Sequence, residues 1–177
     1  MFLKTGEKNM SASTFEVFES IMEGDIDKFN SYVIDGFDPK ALSEKEKWNL
    51  LHKSVSLERY HPPKGMLKHL IECGVDLNAK DFCNWTPLHF AARSNCGYAV
   101  KLFIENGAEV DPVNDEGNTP LQLLLNDDLK IQESAVEALL QKGANPLYKS
   151  CPEGYTIREA AEVNNYQKFL SLLDKYK

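Results

Sequence analysis

The stretch Thr86-Pro87-Leu88-His89-Phe90-Ala91-Ala92 begins a dozen positions after Gly74, and Thr119-Pro120-Leu121 recurs at the same offset from Gly107. One short unit is written more than once. A period in the low thirties implies stacked supersecondary units, because a single unit of that size cannot bury both of its faces. With the glycine and threonine positions as paired markers, the register extends both ways. Gly36, Gly74, Gly107 and Gly143 precede Asn49, Thr86, Thr119 and Thr156 at that offset or at one position more.

After each marker comes a helix-like stretch, such as Leu50-Leu51-His52, Pro120-Leu121-Gln122 or Ile157-Arg158-Glu159-Ala160-Ala161. A second apolar stretch then leads to the next glycine, as in Val100, Leu102, Phe103 and Ile104, or Val136, Leu139 and Leu140. This spacing predicts two short amphipathic helices per unit. Thr86 and Thr119 suit the capping position, and Pro87 and Pro120 suit the first helical residue, where no N–H is missed. The glycines fit the left-handed residue that ends a helix. At the front, Phe15, Phe18, Ile21 and Met22, then Phe29, Tyr32 and Val33, predict a first helix pair around Gly24. At the back, Tyr166, Phe169, Leu170, Leu172 and Leu173 are expected to face the stack, with Asn164, Gln167, Lys168, Asp174 and Lys175 in water.

The unit resembles the ankyrin repeat, whose signature carries Thr-Pro-Leu-His-x-Ala and a Gly-Ala-Asp-Val-Asn-like segment. Residues 75–92 match it closely, and Gly107-Ala108-Glu109-Val110-Asp111 follows well. Elsewhere Asn49 replaces the threonine, Gln122 replaces the histidine, and insertions near Arg59-Tyr60-His61-Pro62-Pro63 and Asp127-Asp128-Leu129 stretch the period. The resemblance implies an all-α solenoid of five helix-turn-helix repeats with projecting β-hairpin-like loops, at about residues 12–38, 39–76, 77–109, 110–145 and 146–177. Residues 1–11 are expected to form a flexible tail.

Catalytic chemistry finds little support. Cys73, Cys83, Cys96 and Cys151 match neither a zinc spacing nor a small disulfide framework, so reduced thiols are expected. The resemblance assigns His52 and His89 to hydrogen bonds with neighbouring loops. His61 and His69 have no evident partner in the sequence. Serine-histidine-aspartate order, phosphate-binding glycine loops and paired-histidine metal motifs are missing, so the chain is read as a non-enzyme needing no metal or cofactor. Lys4, Glu7 and Lys8 interrupt any signal-peptide core, and no stretch reaches membrane-spanning length, which makes a cytoplasmic monomer the expectation.

Function is then expected at a surface. In ankyrin stacks the concave side, made of loop tips and first helices, binds protein, and the position before each marker points there. That position holds Trp48, Trp85, Asn118 and Tyr155. The aromatic members are candidate anchors, widened by Phe82 and Tyr148 in adjoining loops, with Arg93 on the same face; the alternative is packing within the stack. The net charge of −7 disfavours nucleic acid and anionic membrane and favours a basic protein partner. Asp111, Asp115 and Glu116, together with Asp127 and Asp128, are expected to form an acidic edge for it. Two functions fit: a stoichiometric immunity protein or inhibitor of a basic toxin or nuclease, for which the want of a second domain speaks, and a signalling or scaffolding adaptor that masks a partner's basic segment.

Overall fold

The computed structural model describes residues 14–57, 62–125, 133–151 and 154–176. Within them the chain forms ten helices: α1 (Thr14–Glu23), α2 (Ile26–Ile34), α3 (Leu50–Val55), α4 (Lys64–Glu72), α5 (Pro87–Arg93), α6 (Gly97–Glu105), α7 (Pro120–Leu123), α8 (Glu133–Gln141), α9 (Ile157–Val163) and α10 (Gln167–Lys175). Odd-numbered helices form an inner layer and even-numbered ones an outer layer. α1 packs on α3, α3 on α5 and α5 on α7, while α4, α6, α8 and α10 stack in turn. The tip bonds Asp81 N–H to Trp85 O (3.0 Å) and Asn114 N–H to Asn118 O (3.1 Å) close hairpin-like turns, yet the described residues contain no strand.

The markers start the inner helices. Asn49, Thr86, Thr119 and Thr156 are extended residues capping α3, α5, α7 and α9. Three residues on, a side chain reaches back to the marker's own N–H: His52 Nδ1 (3.2 Å), His89 Nδ1 (3.0 Å), Gln122 Oε1 (2.9 Å) and Glu159 Oε2 (2.7 Å). Side chains of three different types thus satisfy the same orphan donor. In three of the four, the other end of that side chain ties repeats together. His52 Nε2 donates to Trp85 O at 3.0 Å, His89 Nε2 to Asn118 O at 3.1 Å, and Gln122 Nε2 to Ser150 Oγ at 3.1 Å. Because Nδ1 accepts a backbone N–H, both histidines are neutral with the proton on Nε2.

Leu51, Leu88 and Leu121, each two residues past its marker, are fully buried between inner helices, and Ala91 and Ala92 let those helices approach closely. Leu67, Leu70, Val100, Phe103, Val136, Leu139, Phe169 and Leu172 fill the outer layer. In the last repeat Arg158 stands two residues past the marker and pairs with Asp174 at 2.6 Å. The outer helices α2, α4, α6 and α8 end in left-handed glycines, of which Gly107 has φ 97°. Phe15 departs from the expected apolar stripe and is 72% exposed, since about 200° of helical rotation separates it from buried Val17. His69 also departs from expectation: it meets Asn30 Oδ1 through Nε2 at 2.7 Å and lies edge-on to Phe29, with ring centroids 5.9 Å apart. His61 falls outside the described residues. No helix of the described residues is long and apolar enough to cross a membrane.

Candidate binding groove

On the inner-helix face, repeats two and three enclose an open groove of about 420 Å³, lined in part by Trp48, Asp81, Trp85, Phe90 and Arg93. Its floor is a cluster of rings. Phe90, on α5, sits edge-on to Trp48 (centroids 4.9 Å apart) and to His52 (5.6 Å), and lies tilted against Trp85 at 5.2 Å. These rings pack on one another, so they form a platform and leave no slot between them for an inserted side chain.

Asp81 shapes the loop that carries this platform. Its Oδ1 accepts the N–H groups of Cys83 (2.9 Å) and Trp85 (2.8 Å), while Oδ2 accepts the Trp48 indole N–H at 3.1 Å. One carboxylate therefore folds a loop tip and binds the previous repeat to it. Asn114, at the equivalent place one repeat later, reproduces half of this: its Oδ1 accepts from Glu116 N–H (3.1 Å) and Asn118 N–H (2.8 Å), but its buried Nδ2 has no partner among the described residues. Close before each of the first three markers the chain turns through a left-handed residue: Lys47, Asn84 and Gly117. Gly117 enters that region freely; Lys47 and Asn84 do so with a Cβ.

The family model described as ankyrin repeats (3 copies) matches residues 17–111 and, in a second overlapping placement, 60–150. The chain belongs to the ankyrin-repeat family. It is 36% identical over 91 residues to protein fem-1 homolog A of Rattus norvegicus, covering 51% of this chain and 14% of that protein. Against protein fem-1 homolog A of Homo sapiens it is 41% identical over 91 residues, covering 51% of this chain and 13% of the relative. Against protein phosphatase 1 regulatory subunit 12A of Rattus norvegicus it is 42% identical over 104 residues, covering 58% and 10% respectively. The ankyrin chain thus spans a small part of the length of these curated relatives. As a set of ankyrin repeats it is a protein-interaction module.

The residues singled out in the sequence do not form one ladder. Trp48 is half-buried and lines the groove. Trp85 is only 5% exposed; its ring area is taken up by Phe90, by His89 at 5.7 Å and by the Arg93 guanidinium, 5.3 Å from the ring centroid. Only a narrow edge of Trp85 is open to solvent. Asn118 serves the stack through its carbonyl, which accepts from His89, while Tyr148 is half-buried and Tyr155 is 64% exposed. Phe82, 64% exposed, stands at the tip of the third repeat with Lys47 Nζ 5.9 Å above its ring. Asp115 and Glu116 are exposed on the next tip, where Asp115 Oδ1 accepts from Asn84 Nδ2 at 2.6 Å. Asp111 does not join that edge: it is half-buried, accepts from Asn145 N–H at 2.7 Å, and burial raises its carboxyl pKa. Asp127 and Asp128 lie outside the described residues.

Phe90 and Asp81 line the groove, and the sequence does not single them out. Phe90 is the unspecified residue of Thr-Pro-Leu-His-x-Ala, and nothing in the sequence marks it. Asp81 carries a usable signal, since Asp81 and Asn114 stand five residues before successive threonine markers. His52 and His89 are committed to structure: burial lowers the pKa of His52 and takes that of His89 down to about 4. Cys73 lies 3.7 Å from His69, and burial raises its thiol pKa.

Proposed function

We propose that this chain is a non-catalytic adaptor that holds an extended segment of a protein partner in the groove between repeats two and three. The observation carrying this reading is the Trp48–Phe90 platform, which borders an open groove on the face that ankyrin modules use. Aromatic and arginine side chains are the types most often responsible for interface energy, and Trp48, Phe90 and Arg93 stand together there. The use of His52 and His89 as inter-repeat ties supports the non-catalytic part of the reading. Asp115 and Glu116, at the neighbouring tip, fit the basic portion of such a segment.

Between regulator and toxin inhibitor, the regulator is favoured. One relative bears the name of a regulatory subunit of protein phosphatase 1, and none of the relatives described above is named as an inhibitor of a toxin. Affinity capture from the native cell with wild-type chain, with Ser56→Tyr in the groove and with Lys101→Tyr on the outer layer tests the site. Partners captured by wild type and Lys101→Tyr but lost by Ser56→Tyr support the groove. Loss with Lys101→Tyr alone refutes it.

A further inference from the structure

The groove is lined by one cation, Arg93, and two carboxylates, Asp81 and Glu116, neither of which forms an ion pair with it. Among the described residues, Lys28, Lys68, Lys149, Arg158, Lys168 and Lys175 are engaged in ion pairs. Arg93 is held differently, with its guanidinium over the Trp85 ring and no ion pair among the described residues. A ring fixes the position of a guanidinium through its quadrupole and leaves the N–H fork free to donate. The groove around Arg93 offers it two hydroxyl residues, Ser56 and Ser94. Of the two carboxylates lining the groove, Asp81 already accepts three hydrogen bonds, and Glu116 is an exposed tip residue accepting from Asn118 Nδ2 at 3.3 Å. Among the described residues, no carboxylate pairs with the fork.

We propose that Arg93 reads an aspartate or glutamate side chain of the docked segment, with a neighbouring apolar residue of that segment lying on Trp48 and Phe90. This rests on the groove being the docking face. The guanidinium matches a carboxylate with two parallel N–H donors, and its fixed seat over Trp85 lowers the entropy lost on pairing. Direction follows from charge. Asp115 and Glu116 repel a second carboxylate placed toward the fourth repeat, so the segment runs with its acidic residue at Arg93 and any basic residue toward those tips. The segment recognised is therefore of mixed charge and oriented, although the chain as a whole carries −7.

Selection of random dodecapeptides displayed on phage against the full chain, with affinities of synthesised winners measured by fluorescence anisotropy, tests this. The expected winners share an Asp or Glu at one position, next to an apolar residue. Replacing that acid by its amide, or Arg93→Gln in the chain, weakens binding roughly tenfold or more, the usual consequence of losing a charge-assisted pair. Arg93→Glu tested with the acid changed to lysine recovers most of the loss, which a merely structural role for Arg93 does not produce. Arg93 is exposed, and melting curves of the variants should overlay wild type. Winners blocked by Ser56→Tyr but without a shared acid, or indifferent to Arg93→Gln, overturn the role of Arg93 and leave the groove standing. Winners indifferent to Ser56→Tyr, winners reproducing a segment of this same chain, or no winners overturn the groove and this inference together.

Discussion

Replacing His89 by glutamine should remove a pH dependence without removing the contacts. In the folded protein His89 is fully buried and neutral, with its pKa lowered by desolvation to about 4 against an ordinary value of 6.5. The unfolded chain therefore binds more protons than the folded one between those values, so stability rises with pH across that window: it is fully present above about pH 6.5 and lost as pH falls toward 4. The full difference corresponds to about 3 kcal/mol, of which roughly 2 kcal/mol disappears between pH 7 and pH 5. His52, also lowered by burial, acts in the same direction. Glutamine is the apt replacement because Gln122 does the same work one repeat on, accepting Thr119 N–H and donating to Ser150 Oγ. Urea unfolding of wild type and His89→Gln at half-unit steps from pH 7.5 to 4.5 measures the contrast. The variant should lie within about 1 kcal/mol of wild type at pH 7 and gain on it by roughly 2 kcal/mol at pH 5. Parallel curves at every pH would refute the burial argument.

Other outcomes follow from the same contacts. Trp85→Ala should cost about 3 kcal/mol or more of stability, because its ring is buried against Phe90 and His89; an unchanged melt would make the ring a free anchor. Leu88→Asp should abolish the cooperative melt by setting an unpaired charge in the inner-helix core, at a cost near the whole stability of a small domain. Asn114→Asp should lower the melting temperature, since the carboxylate oxygen that takes the place of buried Nδ2 meets no donor among the described residues and adds charge beside Asp115 and Glu116; a rise would show that a donor meets it as the Trp48 indole meets Asp81. Asp115→Lys with Glu116→Lys should slow association with the partner more than it speeds dissociation, and added salt should mimic the loss, which stopped-flow mixing resolves.

The fold is readable in the sequence because its markers answer backbone demands that few residue types meet. A left-handed helix end calls for glycine, as at Gly107, and an inner-helix start calls for a capping oxygen followed by proline, as at Thr119-Pro120. The histidine position is readable as structural for a related reason: it must accept one backbone N–H and donate across the repeat junction, which histidine and glutamine both do. The groove is not readable to the same degree. Position before the marker names Trp48 and Trp85 alike, yet one ring borders open space and the other is walled in, and the difference lies in Phe90 and Arg93 on the next helix. Likewise, net charge reports the whole chain, whereas the groove is governed by which carboxylates already have donors. Asp81 is such a case: its charge is present in the sequence and its lone pairs are committed in the fold.

Docking at the Trp48–Phe90 platform is most directly tested by nuclear magnetic resonance of the labelled chain titrated with a selected peptide or captured partner segment. The indole N–H of Trp48, now bonded to Asp81, and the side chains of Phe90 and Arg93 should show the largest shifts, with α4 and α6 of the outer layer nearly unmoved. Shifts concentrated on those outer helices, with Trp48 and Arg93 still, would contradict the account.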